Sequence, residues 1–322
     1  MNALNWPSVV QEALRRRKAE RMTQKEHAAL ADVSIPTIVA FDQGKRTLSL
    51  NKAFDILRVV GLVEEPVPED AQDVFVREAF TRWQALTAGL PENSPGRFRH
   101  GWYRIDYALE GAGRTVSRPE LTKMLRHAIV PFPKWPMFAF PNSSAPDAHE
   151  TGGFIDSWCR PEIAYSPFYD FWRADPKGRM FLIRGYSEDV QETFLPGTIF
   201  DAVLPIWRLS EALSHAGRLA SLLSLDIADT TVRLRVLFTG LAGRSLTTWS
   251  KPMSAEFLLG GQPARSDEVL CEVSVPASRI DENLSEYVLA LTAPLYERFG
   301  VAGLSLEGVH AELTRMRENR FG

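Results

Sequence analysis

Residues 23–46 read TQKEHAALADVSIPTIVAFDQGKR, and this stretch decides how the amino-terminal part of the chain folds. Thr23 and Glu26 have the spacing of a capping box, in which each side chain bonds to the backbone of the other residue. A helix is therefore predicted to begin at this point. It should end near Asp32, because aspartate tolerates the left-handed backbone conformation that a tight turn needs.

A second short helix is predicted directly after the first. Ser34 is placed to cap it, and Pro36 lies in its first turn, where a missing N–H group costs nothing. Ile38 and Phe41 should face inward, and Gly44 is placed to end the helix. Two short helices joined by about three residues are typical of helix-turn-helix DNA-binding domains.

The stretch resembles the helix-turn-helix of phage-repressor-like regulators, the Xre or Cro/C1 type, over residues 6–62. His27 departs from the pattern, since the family usually has an apolar leucine there, and Asp32 stands where glycine is common. Neither departure removes the motif, because a histidine ring can pack and aspartate is among the better residues at positive φ. The matching positions are Thr23-Gln24, Ala28, Val33-Ser34, Ile38 and Asp42-x-Gly44-Lys45-Arg46.

The resemblance implies that the N-terminal end of the second helix points into the major groove of double-stranded DNA. The side chains there are nearly all apolar, so they can contact thymine methyl groups, and Thr37 can add a hydrogen bond. We expect a site with A·T pairs, or specificity drawn partly from DNA shape and dimer spacing. The expected base-facing residues are Ile35, Pro36, Thr37, Val39 and Ala40, and the expected phosphate contacts are Gln24, Ser34, Lys45 and Arg46.

Two further expectations come from the same resemblance. In the repressors, an arginine at the place of Arg17 pairs with an acid after the second helix, here Asp42, so we expect a structural salt bridge. The family reads paired half-sites as dimers, which implies a homodimer on DNA. An alternative for the second helix is that it contacts a protein instead of bases.

The charge of the chain is unevenly distributed. The net charge of −3 divides into +4 for residues 1–62 and −7 for the remainder. A positive small domain attached to an acidic large one suits a protein whose amino-terminal end approaches phosphates. The run Arg15-Arg16-Arg17-Lys18 alone has a simpler interpretation as a solvated helix face.

Composition narrows the class of protein. The apolar content of 45% and charged content of 24% are ordinary for a globular protein. The sequence shows no long apolar run and no signal peptide, so we expect a cytoplasmic protein without membrane contact. Cys159 and Cys271 lack a nearby second cysteine and are expected to be reduced and structural. We find no catalytic motif and expect no cofactor and no metal.

The sequence predicts an all-α helix-turn-helix domain over residues 1–62, with flanking helices at 7–20 and from Ser49 to Gly61. Residues 63–73, VEEPVPEDAQD, have two prolines and five acids, which predicts a linker. Residues 74–322 are predicted to form a larger α+β domain with an antiparallel sheet, for dimerisation and sensing. Its predicted helices cover 74–89, 118–129, 205–223, 278–299 and 305–319, and its predicted strands cover 168–174, 179–184, 232–238 and 269–275.

The function of the large domain stays open at this point. A ligand pocket and an ordinary core both explain its aromatic and arginine residues. The nearest candidate for an acid–base cluster is His149-Glu150 with Asp156, in a loop-like stretch, and we expect solvated side chains there.

The chain is predicted to be a transcriptional regulator, with a small-molecule or protein effector as a further partner. Its alternatives are an antitoxin-like protein that binds a partner, and an enzyme brought to DNA. The aromatic and arginine residues of the large domain that either line a ligand pocket or belong to its core are Trp102, Tyr103, Tyr107, Trp158, Trp172, Arg173, Arg184 and Trp207.

Overall fold

The computed structural model describes residues 5–45, 47–63, 69–114, 116–131, 136–140, 148–151 (backbone only), 153–159, 169–248, 262–301 and 303–318. It divides into two compact units, Met1–Asp70 and Ala71–Gly322. The predicted linker ends earlier than expected. Ala71, Gln72 and Asp73 already lie in a helix, because Gln72 is buried and donates to Asp106 at 2.7 Å.

The described part of the first unit consists of helices that enclose a small apolar core. The core contains Val10, Ala28, Ile38, Phe41 and Ile56, one or more from each helix. Leu30, Ile35, Leu50 and Phe54 are exceptions among the described large apolar residues of this unit, since they stay exposed. The helices are α1 Trp6–Ala19, α2 Gln24–Leu30, α3 Ile35–Asp42 and α4 Leu50–Val59.

Local sequence explains where α2 begins. The Thr23 hydroxyl accepts from the Glu26 backbone N–H at 3.2 Å, and the Glu26 carboxylate accepts from the Thr23 N–H at 2.8 Å. The predicted capping box is therefore present. Ser34 occupies the corresponding position before α3, but the prediction that its side chain caps that helix is wrong. Its hydroxyl lies 2.8 Å from the Thr37 hydroxyl instead.

All four described helices of the first unit end with the same hydrogen-bond pattern. After α3, Gly44 has a φ of 68°, its N–H donates to Phe41, and the Lys45 N–H donates to Ala40. This is a Schellman motif, which satisfies carbonyls that have no partner inside the helix. Asp32 has a φ of 49° after α2, as its residue type suggested, and Gly61 has the same role after α4.

The second unit is α+β, as predicted. Its described strands are β1 Trp102–Glu110, β2 Ala148–Thr151, β3 Phe154–Cys159, β4 Asp170–Ala174, β5 Arg179–Gly185, β6 Ile199–Asp201, β7 Thr231–Phe238, β8 Ser245–Thr247 and β9 Val269–Pro276. Seven of them form an antiparallel sheet in the order β2-β3-β4-β5-β1-β7-β9, and β6 pairs with β8 in a small parallel sheet.

Helices cover both faces of the central strands. The helix Ala71–Thr87 packs on one face with Phe75 and Trp83, and the other helices of this unit pack on the opposite face around Leu209, Leu213 and Leu291. The helices are α5 Ala71–Thr87, α6 Arg118–Ala128, α7 Leu204–Leu223, α8 Leu284–Arg298 and α9 Leu306–Glu318, with 3-10 turns at Pro95–Arg97, Ser187–Val190, Ile227–Asp229 and Ala277–Arg279.

The predicted hairpin is present between β4 and β5. The Gly178 N–H donates to the Asp175 carbonyl at 3.1 Å, and the Asp175 carboxylate accepts from the N–H groups of Lys177 and Arg179. The predicted helix at 278–299 begins later, at Leu284, because Ala277–Arg279 forms a 3-10 turn first. Among the described residues, no helix has both the length and the apolarity that a bilayer crossing requires.

Candidate nucleic-acid interface

Helix α3 has an inner and an outer surface. Ile38 and Phe41 are 0% and 1% exposed and belong to the core of the first unit. Ile35 is 46% exposed, Pro36 is also exposed, and Val39 and Ala40 are half-buried. The outer surface therefore contains the expected base-facing residues, and it is mostly apolar.

Thr37 is the polar member of that surface. It is half-buried, and its hydroxyl shares a hydrogen bond with the exposed Ser34 hydroxyl. One hydroxyl donates and the other accepts, so each keeps capacity for a further partner. This pair couples a residue expected to face bases with a residue expected to contact phosphate.

A charged network connects α1, α2 and α3. Arg17 donates to both carboxylate oxygens of Asp42, at 2.9 and 2.7 Å, and the two side chains are only 8% and 12% exposed. The Gln24 amide donates to the same carboxylate at 2.6 Å. Because Gln24 is on α2 and Asp42 on α3, this carboxylate fixes one helix against the other. Sequence reasoning missed the Gln24 contact.

His27 extends this network into the core. Its ring is fully buried, with Nε2 2.9 Å from the Ile56 carbonyl and Nδ1 3.5 Å from the Arg17 guanidinium. Burial, with the nearby Arg17 charge, lowers the pKa of His27 although the contact with Ile56 opposes this. A neutral ring that donates from Nε2 and accepts at Nδ1 satisfies both neighbours.

Most of the basic side chains of the run Arg15-Arg16-Arg17-Lys18 in α1 make contacts within the first unit. Arg15 and Arg16 both pair with Glu12. Arg16 also donates to the Gly61 carbonyl at 2.7 Å, at the end of α4. Lys45 differs from these residues, since its side chain is exposed directly after α3. Arg46 lies outside the described residues.

The aromatic and arginine residues of the second unit do not form a single pocket. Tyr107 and Trp172 lie in the core under α7, whereas Trp158 packs with α5 on the opposite face of the sheet. Arg173 pairs with Asp156, and Arg184 pairs with Asp170. These five residues are explained by the core and by buried ion pairs, whereas Tyr103 lines a small cavity with Phe238.

The expectation that Asp156 is solvated is wrong. Its side chain is 3% exposed and accepts from Arg173 at 2.6 and 2.9 Å, with Arg82 3.4 Å away. His149 and Glu150 lie in strand β2 rather than a loop, and their side chains are outside the described residues. Alternation was hard to detect because the strand is only four residues long.

Both cysteine thiols are buried and free. Burial raises the pKa of each thiol, that of Cys271 to about 11. The described residues contain no group of side chains arranged to bind a metal ion. Buried neutral thiols are unreactive, so these two residues belong to the core.

The comparisons with known proteins identify no relative. No family model, no curated protein and no solved structure matches the chain.

Proposed function

We propose that the chain is a sequence-specific DNA-binding transcriptional regulator that acts as a homodimer, with α2 and α3 as its helix-turn-helix. The observation that supports this most is the division of α3, where Ile38 and Phe41 are buried while Ile35 and Pro36 face outward. A recognition helix needs such an outer surface at its N-terminal end.

The network at Asp42 supports the same proposal. A helix that reads bases must be held in a fixed direction, since a small displacement removes contacts in the groove. Asp42 accepts from Gln24 of α2 and from Arg17 of α1, so three helices are joined at one carboxylate. Exposed Lys45 follows α3 at a position suited to a phosphate contact.

The apolar outer surface of α3 suggests how the DNA would be read. Ile35, Val39 and Ala40 cannot make the paired hydrogen bonds that arginine makes to guanine, but they can contact thymine methyl groups. Repression by occupying a promoter is the mechanism that the resemblance implies. We infer no enzymatic activity, and we assign dimerisation and effector sensing to the second unit.

The proposal is tested by selecting binding sites from a random duplex library with the full-length protein. We expect a short inverted repeat with A·T pairs in each half-site. The Ile35→Asp variant places a negative charge on the outer surface of α3, so selection with it should yield no motif. Ala29→Asp places the same charge on the exposed surface of α2, and selection with it should yield the wild-type motif. An identical motif from the wild type and Ile35→Asp would overturn the assignment of α3.

A second candidate function, partner binding, is favoured by a different surface. Leu50 and Phe54 lie one turn apart on α4 and are 68% and 41% exposed. Exposed apolar pairs of this kind often contact another protein. Co-purification of a second, different protein chain with the wild type, and its loss from a Leu50→Glu/Phe54→Glu variant, would support this candidate. A single chain purified from both proteins would remove it.

A further inference from the structure

The second unit contains a small aromatic cavity that has no part in the proposed DNA binding. It lies between strands β1 and β7, the segment from Tyr186 to Asp201, and the start of α7. Its volume is about 30 Å³, within a cleft of about 400 Å³ that includes its mouth. A volume of this size has room for about two water-sized groups.

Four aromatic rings line the cavity and contact one another in a closed circuit. Tyr103 lies 6.1 Å from Tyr186 and 6.0 Å from Phe238, and Phe200 lies 5.3 Å from Tyr186 and 6.0 Å from Phe238, all measured between ring centroids. Phe200 is nearly perpendicular to two of these rings and stacks on Phe299 at 5.3 Å between ring centroids. The face of an aromatic ring attracts a cation.

The charged groups of the lining favour a cation. Glu188 and Asp201 are both buried there, and Glu188 accepts from the Asp201 N–H at 2.6 Å. Arg208 also lines the cavity, where its guanidinium donates to the Glu211 carboxylate at 2.9 Å, which balances part of its charge. Arg244, whose guanidinium lies 4.5 Å from the centroid of the Tyr186 ring, is likewise balanced by Asp189.

We propose that this cavity binds the ammonium head of a small primary alkylamine. The nitrogen would lie against the Glu188 carboxylate and the aromatic rings, and the alkyl chain would leave through the mouth of the cleft. A volume of about 30 Å³ matches a primary ammonium group with one methylene better than a bulkier trimethylammonium group. The assignment of this cavity as the effector site of the second unit rests on the proposed function, whereas amine binding itself does not.

The protonation of Glu188 supports this chemistry. Burial raises its pKa to about 7, with the Asp201 charge acting in the same direction and Arg244 against it. Arg208 also lines the cavity, and burial raises the pKa of its partner Glu211 to about 7 as well, although the Arg208 charge opposes this. A bound cation favours the ionised carboxylate, so amine binding near pH 7 should release protons from the protein.

The test is calorimetric titration of the full-length protein without DNA, which keeps it independent of the proposed function. The probes are n-butylammonium chloride, 1-butanol and sodium butyrate at matched ionic strength, which share one alkyl chain and differ in head-group charge. We expect n-butylammonium to bind about tenfold more tightly than the other two. Its binding should release protons, seen as a dependence of the measured heat on the buffer.

Two variants in the lining and one control variant locate the site. Glu188→Gln keeps the shape of the side chain and should abolish the preference for the amine, whereas Glu297→Gln, an exposed residue of α8, should leave it unchanged. Tyr103→Leu removes one ring and should weaken amine binding while butanol binding persists, which covers the case in which Glu188→Gln fails to fold. Equal binding of the three probes, no binding, or tighter binding of butyrate would overturn the proposal. Unchanged amine binding by Glu188→Gln would do the same.

Discussion

The Nδ1 atom of His27 lies 3.5 Å from Nη1 of Arg17, which also donates to Asp42. The imidazole therefore accepts rather than donates on this side, and a proton added at Nδ1 would place two cations in contact. This arrangement makes the protonation state of one buried ring a condition for the packing of α1, α2 and α3.

The first prediction concerns acid stability. The folded-state pKa of His27 is lowered, so the unfolded chain takes up the proton more readily. The stabilisation is fully present above the unfolded pKa of about 6.5 and is lost as pH falls through the folded pKa. Hydrogen exchange of amides in residues 24–42 should show increased opening at pH 5. His27→Leu should remove this pH dependence, and the exposed control His127→Leu should leave it unchanged.

The second prediction concerns the Arg17–Asp42 pair. Removing one partner leaves the other charge buried, which typically costs about 3–5 kcal/mol. Asp42→Asn or Arg17→Met alone should unfold much of the first unit at room temperature, and the double variant should recover part of the loss. Far-UV circular dichroism and hydrogen exchange measure this. Two single variants as stable as the wild type would remove the pair from any structural role.

The third prediction concerns phosphate contact. Lys45→Ala should weaken binding to all DNA sequences and lower the salt slope by about one, because one fewer counterion is released. Lys123→Ala makes the same charge change on an exposed position of α6 and should leave the slope unaltered. Fluorescence anisotropy between 50 and 200 mM salt, roughly the range in which such slopes are resolved, is the measurement. If the affinities of both variants depend on salt with the same slope, Lys45 does not contact phosphate.

The fourth prediction concerns base preference. Thr37→Val keeps the shape of the side chain but removes the hydroxyl that bonds to Ser34, and it should change which base is preferred at one position of each half-site. A mismatch at such a position typically costs about 1–3 kcal/mol. Competition between duplexes that differ at single positions measures the effect. A uniform loss at every position would instead indicate disturbed positioning of α3.

The fifth prediction contrasts two ion pairs of the second unit. Asp156→Asn disrupts a buried pair with Arg173 and should destabilise the unit by about 3 kcal/mol. Glu92→Gln disrupts the pair with Arg99, whose side chains are 90% and 55% exposed, and should have no measurable effect. Urea denaturation followed by tryptophan fluorescence gives both values. Similar small effects for both variants would show that burial of Asp156 contributes little.

Much of the first unit was predictable because its signals are local. Thr23 and Glu26 specify a helix start within four residues, and Gly44 and Gly61 specify two helix ends. The contact between Gln24 and Asp42 was not predictable in the same way, since it joins residues 18 positions apart. For Ser34, the local pattern predicted a contact that does not form. Its residue type favours helix capping, but its hydroxyl bonds to the Thr37 hydroxyl instead.

The second unit was harder to predict for a physical reason. Strands β4 and β5 are buried on both faces, so their sequences lack the alternation that marked β7. The turn residues Asp175, Pro176, Lys177 and Gly178 are the local signal that predicts the hairpin between them. The aromatic cavity combines Tyr103, Glu188 and Phe238 from distant parts of the chain, and no local pattern brings them together.

The central claim, that α3 reads DNA, is tested most directly by capturing genomic fragments with the full-length protein and with its Ile35→Asp variant. We predict that the wild type enriches a short inverted repeat and that the variant, folded by circular dichroism, enriches none. Enrichment of the same fragments by both proteins, or of no fragments by the wild type, would contradict the claim.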